Sequence, residues 1–453
     1  MKLQTQLMEL KLWLSKKDIE KLLELDNPKV IEVVAEFLSL CKPEKAYVID
    51  DSDEDVAFVR NLALELGEEQ KLATDGHTVH FDSYYDQARD KKNTRLLVPK
   101  SESNKYSTHI NTIDRDEGLS EILSIMDGCM KGKIALIRFF CLGPRNSVFS
   151  IPALQITDSA YVAHSEDILY RRGYEEFKRL HGSGDFFYFV HSAGELTENN
   201  VTKNIDKRRI YIDLKENRVL SVNNQYAGNS LGLKKLALRL AINKAVNEGW
   251  LTEHMFISAV HPTNKDRKTY FLGAFPSACG KTSTAMLPGN TIVGDDIAYL
   301  RINDDGEVRA VNIESGIFGI IKDVNPTDDP LIYHALTTPR EVIFSNVLVA
   351  DGKPYWLGMG LDTIPNEGFN WASSLIGKWR KGIKGPDGKE IPYAHPNARY
   401  TIRLSELENV DEALDDPNGV KVSAIIYGGR DSDTSVPIYE AFNWVHGVMV
   451  GAS

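Results

Sequence analysis

The chain has 453 residues, of which 42% are hydrophobic and 26% are charged, so it is long enough to bury large cores and is not a disordered sequence. Its 53 Lys and Arg residues against 64 Asp and Glu residues leave a net charge of -11, which disfavours nucleic acid as a partner. No run of ~18 apolar residues occurs, so we expect neither a membrane span nor a membrane partner. Four cysteines without CxxC spacing, Cys41, Cys129, Cys141 and Cys279, indicate reduced thiols in a cytoplasmic protein.

The N-terminal part of the chain is predicted to be helical over roughly its first 70 residues. Residues 1–14 carry leucines at helical spacing among Lys, Gln and Glu, which predicts a surface helix. Ser15 followed by Asp18 marks the start of the next helix. The polar stretch 86–118 predicts exposed loops. Apolar runs at 134–140, 186–191 and 208–214 predict strands.

The pattern changes after a helix predicted at about 231–248. Gly249 would end this helix in a left-handed conformation, and we place a domain boundary there, between residues 1–249 and 250–453. The C-terminal domain is then a succession of β-rich runs with few helices between them. Its glycine-rich stretch 378–397 predicts a loop.

The segment 275–282, FPSACGKT, lies between an apolar run and a potential helix, which is the context of a phosphate-binding loop. Backbone N–H groups and the helix N-terminus would hold the phosphates, Lys281 would reach the terminal phosphates, and Thr282 would offer its hydroxyl to magnesium. Phe275 stands where the usual motif has its first glycine. The alternative is a chance Gly-Lys-Thr turn, which the strand–loop–helix context disfavours.

Other candidate residues are weak when taken singly. Asp295 and Asp296 follow an apolar run, where carboxylates could hold the cation that phosphates need or could cap a turn. A lone histidine such as His254 is more often structural than a metal ligand. Arg399 and Arg430 suit carboxylate or phosphate, but each could equally make a structural ion pair.

Taken together, the motifs carry a resemblance. FPSACGKT, VGDDIAYL, YAGNS, EGWLTEH, HPNAR and YGGR closely resemble the motifs of the GTP-dependent phosphoenolpyruvate carboxykinase family, over about residues 86–453. The resemblance implies an α/β fold of two lobes, with a phosphate loop in the nucleotide lobe and the active site in the cleft between lobes. It implies a lyase of gluconeogenesis that converts oxaloacetate and GTP to phosphoenolpyruvate, GDP and CO2.

The resemblance also implies a metal site. The family's transition-metal ion, typically Mn2+, would be held by Lys235, His254 and Asp296. Lys234 remains open as the alternative lysine, because counting from the other end of the segment selects it. The family's nucleotide-bound Mg2+ maps to Thr282 with Asp295 nearby.

Further site residues follow from the same resemblance. Substrate contacts map to Arg89, Tyr226, Gly228, Ser277, Asn397 and Arg399. Nucleotide contacts map to Ser277, Ala278, Cys279, Gly280, Lys281, Thr282, Ser283 and Arg430. The catalytic set is Cys279, Lys281, Arg399 and Arg430.

The chain departs from the family in two respects. It has Tyr226-Ala227-Gly228 where the family usually has Tyr-Gly-Gly, and it ends where family members continue into a mobile lid and a guanine pocket. We therefore expect nucleotide binding led by the phosphates. Two alternatives stay open at this point: a non-catalytic nucleotide- and metal-binding remnant, and another phosphate-loop kinase of a small carboxylate.

Overall fold

The fold is known from a computed structural model, which describes residues 2–82, 86–106, 110–197, 200–232, 234, 236–275, 280–370, 377–429, 438 and 440–452. The chain begins with helices whose ends are set by local sequence. The Ser15 hydroxyl accepts from the Asp18 amide at 3.2 Å, and the Asp18 carboxylate accepts from the Ser15 amide at 3.2 Å, which confirms the predicted helix start. Up to residue 180 the helices are α1 (Lys2–Leu10), α2 (Lys16–Glu24), α3 (Pro28–Cys41), α4 (Asp53–Glu65), α5 (Arg115–Met126), α6 (Ala160–Leu169) and α7 (Tyr174–Lys178).

The N-terminal half contains a sheet that has nine strands among the described residues, in the order β1-β6-β7-β9-β11-β10-β4-β5 with β8 beside β6. The three predicted strands are confirmed as β6, β9 and β10. The strands up to residue 222 are β1 (Lys45–Val48), β2 (Gln70–Lys71), β3 (His77–His80), β4 (Thr94–Val98), β5 (Thr112–Asp114), β6 (Ile134–Leu142), β7 (Ile151–Thr157), β8 (Arg171–Arg172), β9 (Phe187–Ser192), β10 (Arg209–Asp213) and β11 (Arg218–Val222).

The prediction of loops throughout 86–118 was wrong. Strands β4 and β5 pair in parallel at the edge of the sheet, and α5 begins at Arg115. Strand β5 is the edge strand and β4 is its neighbour, and strands close to a sheet edge tolerate polar residues that disguise them in the sequence. The apolar core of β4, Leu96–Val98, was the signal that the polar flanks concealed.

Alternation along the strands gives the sheet two buried faces. Phe139 packs in the core formed with α1, α2 and α3, whereas its neighbour Phe140 packs in a core shared with C-terminal strands. Each such aromatic side chain, fully buried, contributes about 2–3 kcal/mol. Tyr299 and Ile313 reach the second core from the C-terminal half, so the two halves share apolar contacts.

The helix predicted at about 231–248 forms over its later part, and only its first residues are not helical. Helix α8 (Ala227–Ser230) ends before Gly232, where a Cβ atom would lie 2.2 Å from the Phe189 ring. A π-helical turn (Leu236–Leu240) then leads into α9 (Ala241–Glu248). Gly249 ends α9 with φ of +77°, as its position in the sequence predicts.

The C-terminal half is built from smaller sheets, which confirms its β-rich pattern. Their orders are β12-β16-β17-β25, β15-β13-β14-β26, β18-β24-β19-β3-β2 and β21-β20-β22-β23. The predicted loop at 378–397 begins with a short strand, so its first residues were misassigned. The remaining strands are β12 (Leu251–Glu253), β13 (Phe256–Val260), β14 (Thr269–Ala274), β15 (Thr291–Gly294), β16 (Ala298–Ile302), β17 (Val308–Asn312), β18 (Gly316–Ile320), β19 (Val342–Ser345), β20 (Leu348–Ala350), β21 (Lys353–Tyr355), β22 (Glu367–Phe369), β23 (Lys378–Arg380), β24 (Arg399–Arg403), β25 (Val420–Lys421) and β26 (Ala424–Tyr427).

Helices are few in this half. Within the described ranges no helix combines the length and apolar character that crossing a membrane would require. The helices after residue 249 are α10 (Lys281–Ala285), α11 (Pro330–Thr337) and α12 (Trp444–Ala452).

Candidate active site

The acidic pair predicted at a strand end lies directly after β15. Asp296 is the centre of a polar cluster: its Oδ1 lies 2.7 Å from His254 Nε2, and its Oδ2 lies 2.7 Å from Lys234 Nζ. His254 follows β12, whereas Lys234 comes from the segment before α9. The fold therefore brings together a carboxylate, an imidazole and an amine that lie far apart in the sequence.

Lys234 is held as a cation. Its Nζ also lies 3.0 Å from Glu314 Oε1. Burial by itself would lower the pKa of Lys234, but the carboxylates of Asp296, Glu314 and Asp295 outweigh burial and raise it. Burial likewise raises the pKa of Glu314, with Lys234 opposing the effect. Lys235, the residue to which the resemblance assigned the metal, lies outside the described residues.

The phosphate loop has the predicted strand and helix on either side. Strand β14 ends at Ala274, Phe275 packs edge-on against Phe256, and Gly280 begins α10 with φ of +80°. A positive φ is accessible to glycine at little cost, which explains this glycine before the lysine. The loop residues Ser277, Ala278 and Cys279 lie outside the described residues, and of Lys281 only the backbone is described.

Two hydroxyls follow the loop, and they have different neighbours. Thr282 Oγ1 lies 3.4 Å from Asp295 Oδ2, so the predicted magnesium-binding pair is adjacent. The Ser283 hydroxyl instead donates to Asp329 Oδ1 at 2.9 Å. Asp295 is buried and precedes Asp296 in the chain. Its carboxylate contacts Thr282 of α10. The phosphate-loop helix and the acidic cluster are thus neighbours.

A third group joins the two halves of the chain. Asn397 donates its amide N–H to the hydroxyl of Tyr226, and Arg399 donates from Nη2 to Asn397 Oδ1 at 2.9 Å. The Arg399 guanidinium lies over the Phe318 ring, 5.0 Å from its centroid. Its Nε is buried and has no hydrogen-bond partner among the described residues, so it can donate to an anionic ligand.

The loop that carries Tyr226 is closely packed. A Cβ atom at Gly228 would lie 2.4 Å from the Tyr226 ring, so this position requires glycine. Tyr226 itself is 1% exposed. Its hydroxyl is therefore held at a defined place, where Asn397 binds it.

Asp86 is a residue of this site that motif reasoning missed. Its Oδ2 accepts from the backbone amides of Gln225 at 2.6 Å and Tyr226 at 3.1 Å, and its Oδ1 accepts from Arg208. Burial, and then the charge of nearby Asp82, raise the pKa of Asp86 to about 6. Asp86 thus ties the Tyr226 loop to the exposed segment that carries Arg89.

His395 also escaped the sequence analysis, although it begins the HPNAR motif. Its Nδ1 accepts from the Asn397 amide at 3.0 Å. Burial lowers the pKa of His395 to about 4, so the ring is neutral and able to accept at physiological pH. Arg430 lies outside the described residues, and its predicted role stays a prediction.

A phosphate loop beside a cluster of carboxylates and a histidine, together with an arginine–asparagine anchor, is typical of nucleotide- and metal-dependent enzymes that act on small anions. Family comparison identifies the class further. The phosphoenolpyruvate carboxykinase N-terminal domain matches residues 32–246, and the phosphoenolpyruvate carboxykinase C-terminal P-loop domain matches residues 250–453. The chain belongs to the phosphoenolpyruvate carboxykinase family, as the motifs predicted.

Individual relatives agree. The phosphoenolpyruvate carboxykinase [GTP] of Thermococcus kodakarensis is 57% identical over 442 residues, which are 97% of this chain and 69% of that protein. The protein of the same name from Pyrococcus abyssi is 57% identical over 98% of this chain and 71% of its own length. The one from Chlamydia caviae is 37% identical, over 95% and 72%.

These matches decide between the hypotheses left open by the sequence. The expectation of a two-lobed carboxykinase fold and of a carboxykinase enzyme is confirmed. An unrelated phosphate-loop kinase is excluded, and the match to both family domains argues against a remnant that has lost one of them. Enzymes of this family use divalent metal ions.

Proposed function

We propose that the protein is a GTP-dependent phosphoenolpyruvate carboxykinase of the cytoplasm, which converts oxaloacetate and GTP to phosphoenolpyruvate, GDP and CO2. One observation carries the proposal. The strand–loop–helix of the phosphate loop adjoins Asp295 and Asp296, and Asn397 with Arg399 form a separate anion anchor on Tyr226. The first would serve the phosphoryl donor, and the second would hold the carboxylates of oxaloacetate.

The donor set fits a divalent transition metal. His254 Nε2 and Asp296 Oδ1 converge to 2.7 Å, and a nitrogen–oxygen set suits Mn2+ better than Mg2+, which prefers oxygen ligands alone. Lys234, the alternative that the sequence left open beside Lys235, is the lysine that supports the third position, because its Nζ lies 2.7 Å from the Asp296 carboxylate that also contacts His254. A ligand lysine must be neutral, so a bound cation would displace the proton that Asp296 and Glu314 stabilise on Lys234. When bound, the ion would polarise the substrate's keto oxygen and stabilise negative charge there.

The chain's own residues bind and orient oxaloacetate. The Arg399 guanidinium, fixed by Asn397 and by the Phe318 ring, would take one carboxylate, and Arg89 would take the other. The buried Tyr226 hydroxyl lies beside Asn397, and from there it would border the carboxylate that leaves as CO2. Gly228 would contact the substrate through its backbone, and the absence of a side chain there leaves the Tyr226 ring in its place.

Phosphoryl transfer would use the phosphate loop. The amides of Ser277, Ala278, Cys279 and Gly280 and the N-terminus of α10 would bind the phosphates. Lys281 and Arg430 would neutralise charge on the group in transfer. The Thr282 hydroxyl, beside Asp295, would hold the nucleotide's Mg2+, and the Ser283 backbone amide would add a further nucleotide contact.

The test is an assay of oxaloacetate decarboxylation in which phosphoenolpyruvate and pyruvate are both measured. GTP, ATP, ITP and pyrophosphate are compared as donors, with and without Mn2+. We expect phosphoenolpyruvate with GTP and Mn2+, and its loss in Arg399→Met, while Arg309→Met, on strand β17, serves as the matched control. Release of CO2 without nucleotide dependence, or equal activity of both variants, would contradict the proposal.

A further inference from the structure

Two of the cysteines lie against each other beside the N-terminal sheet. Cys41 is the last residue of α3, and Cys129 lies in the turn after α5. The Gly128 amide donates to the carbonyl of Leu40 at 2.8 Å, and the Met130 amide donates to the carbonyl of Cys41 at 3.0 Å. These hydrogen bonds flank Cys129 and hold its backbone beside that of Cys41.

The two side chains also pack in the same apolar core. Interaction with the neighbouring Cys129 thiol, and then burial, raises the pKa of Cys41 well above its ordinary range. Cys41 is 0% exposed, whereas Cys129 is partly exposed. A disulfide requires adjacent backbones and side chains directed toward each other. The paired backbone bonds provide the first condition, and the packing of both side chains in one core brings the two thiols near each other.

Cys129 can be reached from solvent. It lines an open cavity of about 890 Å³ together with Lys131, Lys207 and Asn204. Lys133 also lines this cavity, but its ammonium group is bound by Asp158 at 2.9 Å. The lysines suit a small disulfide that carries carboxylates, because such a molecule is anionic.

We propose that Cys41 and Cys129 are a redox modification site and form a reversible disulfide by exchange with a small anionic disulfide such as oxidised glutathione. The Cys129 thiolate attacks one sulfur of that molecule, a mixed disulfide forms, and one thiol leaves. Cys41 then loses its proton to solvent and attacks the Cys129 sulfur, and the second thiol leaves. Two protein thiols thereby lose two electrons and two protons, and one small disulfide becomes two thiols.

The cross-link would have a structural consequence. It would join the ends of α3 and α5, two helices that pack in the same core, and close a loop of about 90 residues. A closed loop of this length restricts the unfolded chain, so the oxidised protein should be the more stable form. The disulfide would leave the active-site residues unmodified, since neither cysteine contacts them.

The test begins with the reduced full chain, which is treated with oxidised glutathione at pH 8, quenched with an alkylating agent, digested and mapped by mass spectrometry. We expect a linked pair of peptides that carry Cys41 and Cys129, which dithiothreitol separates. The thermal midpoint of the oxidised protein should rise by a few degrees over the reduced protein. Cys141 should stay unmodified, because burial raises the pKa of its thiol to about 12.

Variants separate the two steps of exchange. Cys41→Ala should trap glutathione on Cys129, and Cys129→Ser should leave Cys41 unmodified because that thiol is buried. Neither variant should show the oxidant-dependent rise in thermal midpoint. Wild-type protein that accumulates glutathione on Cys129 without the cross-link, or that leaves Cys129 unmodified, would overturn the proposal. So would a cross-link from either cysteine to Cys279 in its place.

Discussion

Raising the pH above neutrality should weaken the fold through one buried histidine. His164 of α6 lies between two carboxylates, with Nδ1 2.8 Å from Glu69 and Nε2 3.2 Å from Glu341. Burial by itself would lower the pKa of His164, but these carboxylates outweigh both burial and nearby Arg60 and raise it to about 9. Since Glu341 belongs to the C-terminal half, this charge helps to join the two halves of the chain.

The sign and the size of this pH effect on the unfolding free energy follow from the difference between the folded and unfolded pKa values of His164. The folded-state pKa of His164 lies above its ordinary value of 6.5, so the protonated ring stabilises the folded state fully below pH 6.5. This contribution is lost as the pH rises from 6.5 through about 9. At about 1.4 kcal/mol for each pH unit, the interval corresponds to about 3 kcal/mol of unfolding free energy.

Urea denaturation at several pH values between 6 and 10 measures the effect when wild type is compared with His164→Gln. The variant keeps a hydrogen-bond donor and lacks the titration, so groups common to both proteins cancel in the difference. We expect the stability advantage of wild type over the variant to shrink by about 3 kcal/mol across this range. If the unfolding free energies of the two proteins change in parallel with pH, His164 is not charged in the folded protein and the reasoning is refuted.

Other substitutions test the site. His254→Ala should weaken Mn2+ binding at least about tenfold, as measured by calorimetry. Asp86→Asn should raise the KM for oxaloacetate about tenfold and change kcat less, because it loosens the Tyr226 loop; equal KM values in steady-state assays would contradict this role. Gly228→Ala should lower kcat/KM for oxaloacetate, since the new methyl group displaces the Tyr226 ring, while GTP binding stays unchanged. Cys279 should be the thiol alkylated first, with protection by GTP and Mg2+, in mass-spectrometric mapping.

Structural features that depend only on residues close together in the sequence were predictable from it. The Ser15–Asp18 capping box, the left-handed Gly249 and the strand and helix around the phosphate loop all occur where the residues indicated. Such signals are local, because each concerns the hydrogen bonds or backbone angles of a few consecutive residues. The family could also be predicted from the sequence, because its motifs are short segments with characteristic functional residues.

Tertiary structure decided which distant groups meet. Nothing in the spacing of Lys234, Asp296 and Glu314 shows that they form one buried cluster, nor that Lys234 is thereby held charged. Asp86 looks like an ordinary polar residue until the fold places it under the amides of the Tyr226 loop. The polar strands β4 and β5 were missed for the same reason, because their pairing partners are remote in the sequence.

The difference between features that the sequence predicts and features that it does not has one physical cause. Capping, turn formation and helix periodicity act over a few residues, so the amino-acid sequence by itself determined the local elements, the phosphate loop and the family. The charge state of His164 and the contact of Cys41 with Cys129 depend on burial and on partners supplied by other elements. Those quantities exist only once the chain has folded, so the tertiary structure alone decided them.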